Sequence, residues 1–338
     1  MITAEDIAWV AISAIRGVGP KTLWGLADYL ETQSKTATWL LNNPDILSER
    51  LGSRCSEIDI SLAIDRARSE MSASDQNRIS VVHPFHPLFP ARLRLLRKEF
   101  SLPAILYAQG NIDLLSRCGV AVVGARNVGE FAMRVAETLV SEMTRRGINI
   151  VSGCAKGIDS TAHLTALNAN GTTTMVLAEG INKFSVKREI RPYLTCDNTL
   201  IISQFEPDSR WSVHFAMARN KLVCAMSSAV LVIVSGPERD HEGRMSGTFD
   251  AGITALKMDI PTFVVTPSYF DDHPEGNQVL IERGCFELVP SRGVEVLIRA
   301  IAPVFPEAEP TTCRSKKALR KSSKREQGEQ LDIFTERE

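Results

Sequence analysis

Between residues 77 and 290 the chain alternates two hydrophobic rhythms. Short runs of consecutive apolar, often β-branched residues recur as AILYAQG, GVAVVGA, INIVSG, TTTMVLA, TLIISQ, AVLVIVSG and IPTFVVTP. Most are separated by stretches with apolar positions at helical spacing, notably over 130–146, 158–170, 214–227 and 248–257. Strands without polar alternation are buried on both faces, and helices between them supply the covering layers. The pattern predicts an α/β domain over 77–290 built on a doubly wound parallel sheet. Ligands of such a sheet sit at the carboxyl ends of the strands.

The flanks follow other patterns. Residues 1–76 are rich in helix formers with apolar positions at helical spacing, such as Ile7, Val10, Ala11 and Ala14, which predicts a small helical domain. Gly17-Val18-Gly19 breaks the pattern there, and Pro20 is suited to open a second helix. Residues 291–338 change character after VEVLIRAIAPVFPEAEP. RSKKALRKSSKR holds seven basic residues in twelve and no acidic one, and EQGEQLDIFTERE then turns acidic. This segment has too few apolar residues for a core and is expected to be a disordered, flexible tail.

Composition narrows the setting. The 338 residues suffice for more than one domain, and a formal net charge of −1 gives no global pull toward polyanions. Any nucleic-acid binding must therefore come from local patches. Seven cysteines, an odd number without a CxxC pair, point to free thiols in a reducing cytoplasm. The amino terminus lacks the features of a signal peptide, and no run approaches the roughly 20 apolar residues that span a bilayer. A soluble, cytoplasmic protein without a membrane partner is expected. His83 and His86 lack cysteine or carboxylate partners at metal spacing, so neither a metal nor another cofactor is expected.

Two strand-to-helix turns carry the candidate chemistry. Gly124-Ala125-Arg126-Asn127-Val128-Gly129 stands where a dinucleotide fingerprint would stand, but Arg126 replaces its middle glycine. That glycine lets a pyrophosphate approach the backbone, so its loss argues against NAD or FAD. An arginine offers a charged fork for phosphate oxygens instead, beside a helix start that attracts anions. The alternative is a plain surface cation next to a tight turn. The second turn, SGCAKGIDSTAH, begins at Ser152-Gly153 and should lie beside the first. Gly153 and Gly157 permit tight geometry, and Lys156 adds a point charge. Asp159 and His163 are four apart and share a helix face. They form either an acid–base pair or a brace in which His163 bonds to Asp159. The brace is favoured, because no nearby motif supplies a nucleophile or a metal.

VAVVGARNVG, IVSGCAKGIDSTAH, RNKLVCAMSSAVLVIV, SGTFDAGITAL and GNQVLIERGC occur in one order, and the series resembles the DprA/Smf family of bacterial DNA-processing proteins. The likeness covers roughly 78–290, including the connector HPLFPARL…LPAILYAQGN. It implies an extended Rossmann-like domain that binds single-stranded DNA without sequence preference, dimerises, and delivers the strand to the RecA recombinase. It implies a binder, not an enzyme. Matched position by position, it implies DNA contacts from Gly124, Arg126 and Asn127 and from Ser152, Gly153 and Lys156. Phe215 falls at an aromatic able to stack on a base, Arg219, Asn220 and Lys221 match an RNR-like triplet, and Ser246, Gly247 and Thr248 match a turn at a helix start. Cations tracking a backbone and an aromatic face open to any base suit such binding. There are departures: Ala216 replaces a proline, Ser203-Gln204 a Ser-Glu pair, and residues 236–245, GPERDHEGRM, are longer and more charged than the usual loop. The tail lacks the apolar pattern of a winged helix.

Both ends add expectations. GVGPKTL resembles the hairpin of a helix-hairpin-helix unit, so the small helical domain is expected to be SAM- or helix-hairpin-helix-like; a tight αα-hairpin packed on its own domain is the alternative. Gln330-Leu331-Asp332-Ile333-Phe334 resembles the short peptide by which bacterial replication proteins dock on the DNA polymerase sliding clamp. The rival functional classes are a phosphoribohydrolase similar to the cytokinin-activating LOG enzymes, and a sheet that senses a small nucleotide. HEGRMSGTFDAG has the Gly-Thr of the LOG motif but neither its doubled glycine nor its catalytic glutamate.

Overall fold

The computed structural model describes residues 2–52 and 56–302. Nine strands form one sheet: β1 (Ser80–Val82), β2 (Leu106–Gly110), β3 (Gly119–Val123), β4 (Asn149–Gly153), β5 (Thr173–Val176), β6 (Thr199–Ser203), β7 (Ala229–Val232), β8 (Thr262–Val265) and β9 (Phe286–Leu288). Their spatial order is β1-β2-β6-β5-β4-β3-β7-β8-β9. From β6 to β9 every neighbouring pair is parallel. The parallel core matches the expected doubly wound sheet, and two antiparallel strands extend its far edge, where β2 runs antiparallel to β6 and β1 antiparallel to β2. An apolar run reports burial on both faces, not strand direction. β1 and β9 are three residues each, too short for a pattern, and two of the three in β9 are exposed.

The helical region contains α1 (Ala4–Ala14), α2 (Pro20–Gln33), α3 (Ala37–Leu41), α4 (Pro44–Leu51) and α5 (Glu57–Gln76). Thr3 and Asp6 close a capping box on α1, and Ser56 and Asp59 close one on α5. Pro20 stands at the first position of α2, and Gly17 before it has φ of 85°, which accounts for the glycine-rich break. The Glu5 carboxylate accepts the Ala37 and Thr38 N–H groups at 2.7 and 3.0 Å and so caps α3. Beyond β1 lies α6 (Ala91–Phe100). Trp24 on α2 donates its indole N–H to the Leu102 carbonyl at 2.9 Å, and its ring meets Phe89 edge-on. Trp9, Leu30 and Met71 belong to the same continuous apolar core as Val82, Leu106 and Ile202 of the sheet.

The remaining helices, α7 (Glu130–Arg145), α8 (Ile158–Asn168), α9 (Val213–Ala225), α10 (Gly247–Lys257), α11 (Glu275–Glu282) and α12 (Glu295–Ile301), cover both faces. In β3, Val120 and Val122 point toward α7, α8 and α12, and Ala121 and Val123 toward the core that holds α9 and α10. This alternation of a wholly apolar strand is the physical content of a doubly wound sheet. α12 revises the boundary expected at 290. Val294, Leu297 and Ile301 recur at helical spacing and are fully buried against the sheet, so the fold reaches at least residue 302. Among the described residues no helix is long and apolar enough to cross a membrane.

Candidate functional site

The chain winds from β3 outward to β6, then returns to the other side of β3 and continues through β7 to β9. The connection leaving β3 enters α7 on one face, and that leaving β7 leads to α10 on the other. Their divergence opens a crevice beyond the carboxyl ends of the strands, the place where open α/β sheets bind ligands. A cleft of about 620 Å³ lies there. Val123 to Asn127 form one side, with Ala155 and Asp159 beside them. The start of α9 contributes Val213, Met217, Arg219 and Asn220, with Trp211 just before it. Gly236, Asp240, Arg244 and Met245 come from the exit of β7, and Ser246, Gly247 and Thr248 from the start of α10.

The two glycine-rich turns interlock backbone to backbone. Gly157 has φ of 75°, and a Cβ there would lie 2.5 Å from the Ala125 carbonyl oxygen and 2.6 Å from that of Arg126. A Cβ on Gly124 would meet the Ile158 side chain at 2.4 Å. The exit of β7 is held just as closely. Ala125 N–H donates to the Val234 carbonyl at 2.9 Å. Asn277, fully buried at the start of α11, accepts from Ser235 N–H at 2.7 Å and donates to the Ile233 and Val265 carbonyls at 2.9 and 2.8 Å. One side chain thereby satisfies three backbone groups where two strands end.

A largely buried charged pair forms part of the cleft wall. Arg219 and Asp159 approach to 3.6 Å, with side chains 8% and 9% exposed. The guanidinium occupies the volume above Gly153, where a Cβ would fall 1.2 Å from Arg219 Nη1. Burial raises the Asp159 carboxyl above the usual range, while Arg219 and the Ala155 N–H pull it back down. Asp159 braces the turn by accepting the Ala155 N–H at 3.4 Å, but His163 does not bond to Asp159, which corrects that contact within the expected brace and dissolves the acid–base pair. Its Nε2 meets the Gly153 carbonyl at 2.8 Å and its Nδ1 the Thr173 hydroxyl at 2.7 Å. Burial pushes its pKa down to about 4, so the ring stays neutral and ties β4 to β5. An i, i+4 spacing permits a contact, but better partners lay across the sheet.

A family model described as DNA recombination-mediator protein A matches residues 80–297, from the first strand to the last helix. The chain belongs to that family. DNA processing protein DprA of Bacillus subtilis is 30% identical over 214 residues, covering 59% of this chain and 69% of the relative. DprA of Streptococcus pneumoniae is 31% identical over 206 residues, covering 60% and 68%. The X-ray structure of the pneumococcal DprA superposes with a TM-score of 0.69 at 22% identity, over 87% of this chain and 98% of that one. A structure of DprA from Helicobacter pylori, described as giving insight into its single-stranded DNA binding mode, superposes with a TM-score of 0.54 at 25% identity, over 66% and 96%.

Within this family frame, the cleft brings together Gly124, Arg126, Asn127, Arg219, Asn220, Ser246, Gly247 and Thr248. Arg126 and Asn127 are exposed. Ser246 caps α10 by accepting the Phe249 N–H, and Asn220 donates to the Gly247 carbonyl at 3.1 Å, tying α9 to that helix start. Ser152, Gly153, Lys156, Phe215 and Lys221 are not among the residues that line it. Ser152 is buried, its hydroxyl donating to the Val122 carbonyl at 2.6 Å, and Gly153 is roofed by Arg219. Lys156 and Lys221 are exposed. Phe215 stacks face to face on Phe205 with ring centroids 3.8 Å apart, so that face of its ring is closed to a base. Arg219 lines the cleft and is at the same time the largely buried counter-charge of Asp159.

Several lining residues escaped the sequence. Trp211, Met217, Asp240, Arg244 and Met245 all line the cleft. The charged stretch 236–245 is an ordered turn: Arg239 and Met245 form a bridge, and Asp240 accepts from Arg244 Nε at 2.7 Å and from the Glu242 and Arg244 N–H groups at 2.9 Å each. Its length was visible in the sequence, and its position at the lip was not. Lys187, which donates to the Ala155 carbonyl at 3.0 Å and to the Ser160 hydroxyl, braces the second turn without any motif to mark it. Gln330 to Phe334, and the basic stretch before them, lie outside the described residues.

Proposed function

We propose that this protein binds single-stranded DNA without sequence preference and acts as a non-enzymatic recombination mediator that loads RecA recombinase. The observation that carries this reading is the cleft at the switch point of the sheet, where Arg126, Asn127 and the start of α10 offer donors to an anion. The family membership and the subject of the Helicobacter pylori structure support the same ligand. In this reading Gly124 lets the turn seat tightly, Arg126 and Asn127 contact one phosphate, and Gly247 and Thr248 contact another. Lys156 and Lys221, exposed outside the cleft, guide the strand along its rim. Ser152, Gly153, Asp159, His163, Arg219, Asn220 and Ser246 hold the walls in place. The protein works as a cytoplasmic homodimer, and Gln330 to Phe334 dock it on the sliding clamp.

The test compares single- and double-stranded oligonucleotides over a salt series, using the full chain and a variant lacking residues 311–338. Single strands of unrelated sequence should bind with similar affinity and more tightly than duplex. Each phosphate contact should contribute about −0.7 to the slope of log K against log salt. Arg126→Glu and Lys156→Glu should each weaken binding and flatten that slope. Unchanged affinity in both variants would sink the reading. Nucleation of RecA filaments on protein-coated strands tests the loading role, and loss of the clamp interaction on removing 311–338 tests the tail.

A further inference from the structure

We propose that Trp211 is the base-stacking platform of the cleft, receiving a nucleobase of the bound single strand on its open face, with Met245 supplying apolar surface on the β7 side. The inference rests on the single-strand reading above and assigns the base contact within it. Phe215, the aromatic expected in this role, has a ring face covered by Phe205 at 3.8 Å and does not line the cleft. Trp211 does line it and is 49% exposed. Among the described residues no aromatic ring and no cation is stacked on its indole. Met245, 40% exposed, lines the cleft as well. Arg126 and Asn127 line the same cleft, so a phosphate and its base can be held together. A half-exposed indole beside phosphate donors is the combination that grips single strands regardless of sequence, because every base has a π-face.

A structural role is the competing account. Trp211 immediately precedes Ser212, whose hydroxyl caps α9 by accepting the Phe215 N–H, and an apolar residue at that place often staples onto the buried fourth position of the helix, here Ala216. Stapling occupies one face of the ring and leaves the exposed half unexplained.

The other tryptophans make the test selective. Trp9 and Trp24 are buried, and Trp39 has the Lys35 ammonium over its ring at 5.4 Å. Titrating the full chain with oligothymidylate, excited at the red edge of indole absorption, should quench fluorescence in proportion to the bound fraction measured by anisotropy of a labelled strand. Trp211→Leu should abolish the quench and weaken binding roughly 5- to 150-fold, the range for losing one stacked base. Trp211→Tyr should retain most of the affinity. Binding without quench, or Trp211→Leu within about twofold of the parent whatever its melting temperature, overturns the proposal and leaves the single-strand reading standing. Absence of single-strand binding by the parent chain itself overturns both.

Discussion

The pairing of Arg219 with Asp159 has a measurable consequence in Arg219→Met. The pair with Asp159 lies at 3.6 Å with both side chains less than a tenth exposed, so neither charge has much water to fall back on. Removing one member of such a pair strands the other, a loss of about 3–5 kcal/mol. For a domain of this size that corresponds to a fall in Tm on the order of 10 °C. The defect should depend on pH. Burial already raises the Asp159 carboxyl and Arg219 opposes that rise, so removing Arg219 raises it further. A carboxyl raised in the folded state favours folding below its unfolded pKa and loses that contribution as pH rises through the folded value. The Arg219→Met defect should therefore be largest at neutral pH and shrink on acidification. Adding Asp159→Asn removes the stranded charge and should recover more than half of the lost stability. Urea melts followed by circular dichroism, at neutral and mildly acidic pH, measure both effects. A loss below about 1 kcal/mol accompanied by full loss of DNA affinity would refute the reasoning, because Arg219 would then serve the strand and not Asp159.

Three further outcomes follow from the same geometry. Gly157→Ala places a side chain in a glycine-only conformation and against two carbonyl oxygens; it should cost about 2 kcal/mol or more and weaken oligonucleotide binding, since the turn it displaces carries Arg126. Asn277→Leu leaves Ser235 N–H and two carbonyls unpaired in the interior, and at about 1–3 kcal/mol for each group the chemical-denaturation midpoint should fall sharply. His163 has its pKa lowered from 6.5 to about 4 in the fold, so the unfolded chain takes up its proton first as pH falls. Its contribution is whole above about pH 6.5 and is lost as pH drops toward 4, by up to about 3 kcal/mol, and His163→Gln should flatten the stability profile over that interval.

The fold was legible where one side-chain property decides the outcome. Uninterrupted runs such as GVAVVGA could only be strands buried on both faces, and the helices between them could only lie on either side. Direction was not legible for AILYAQG, because pairing β2 antiparallel to β6 changes no residue's burial. Helix α12 was missed because Val294, Leu297 and Ile301 adjoin a polar tail whose composition dominates the window. In the site, the glycines announced two turns at strand ends, and Gly124 and Gly157 do interlock. What those turns surround depends on distant packing. No spacing shows that Arg219 reaches Asp159 beneath the turn, that Phe205 covers Phe215, or that the segment 236–245 folds over to the lip. Cation and aromatic were recognised as types, and burial decided which ones are free.

The crossing of the two turns at Gly157 and Gly124 sets how this surface can change over generations. What the fold requires there is vacancy: a methyl group at either position collides with main chain or with Ile158, whatever its chemistry. The exposed positions Arg126, Asn127, Lys156 and Trp211 carry no such constraint. Charge and aromatic surface can therefore vary at those positions while the hollow formed by the two turns keeps its shape.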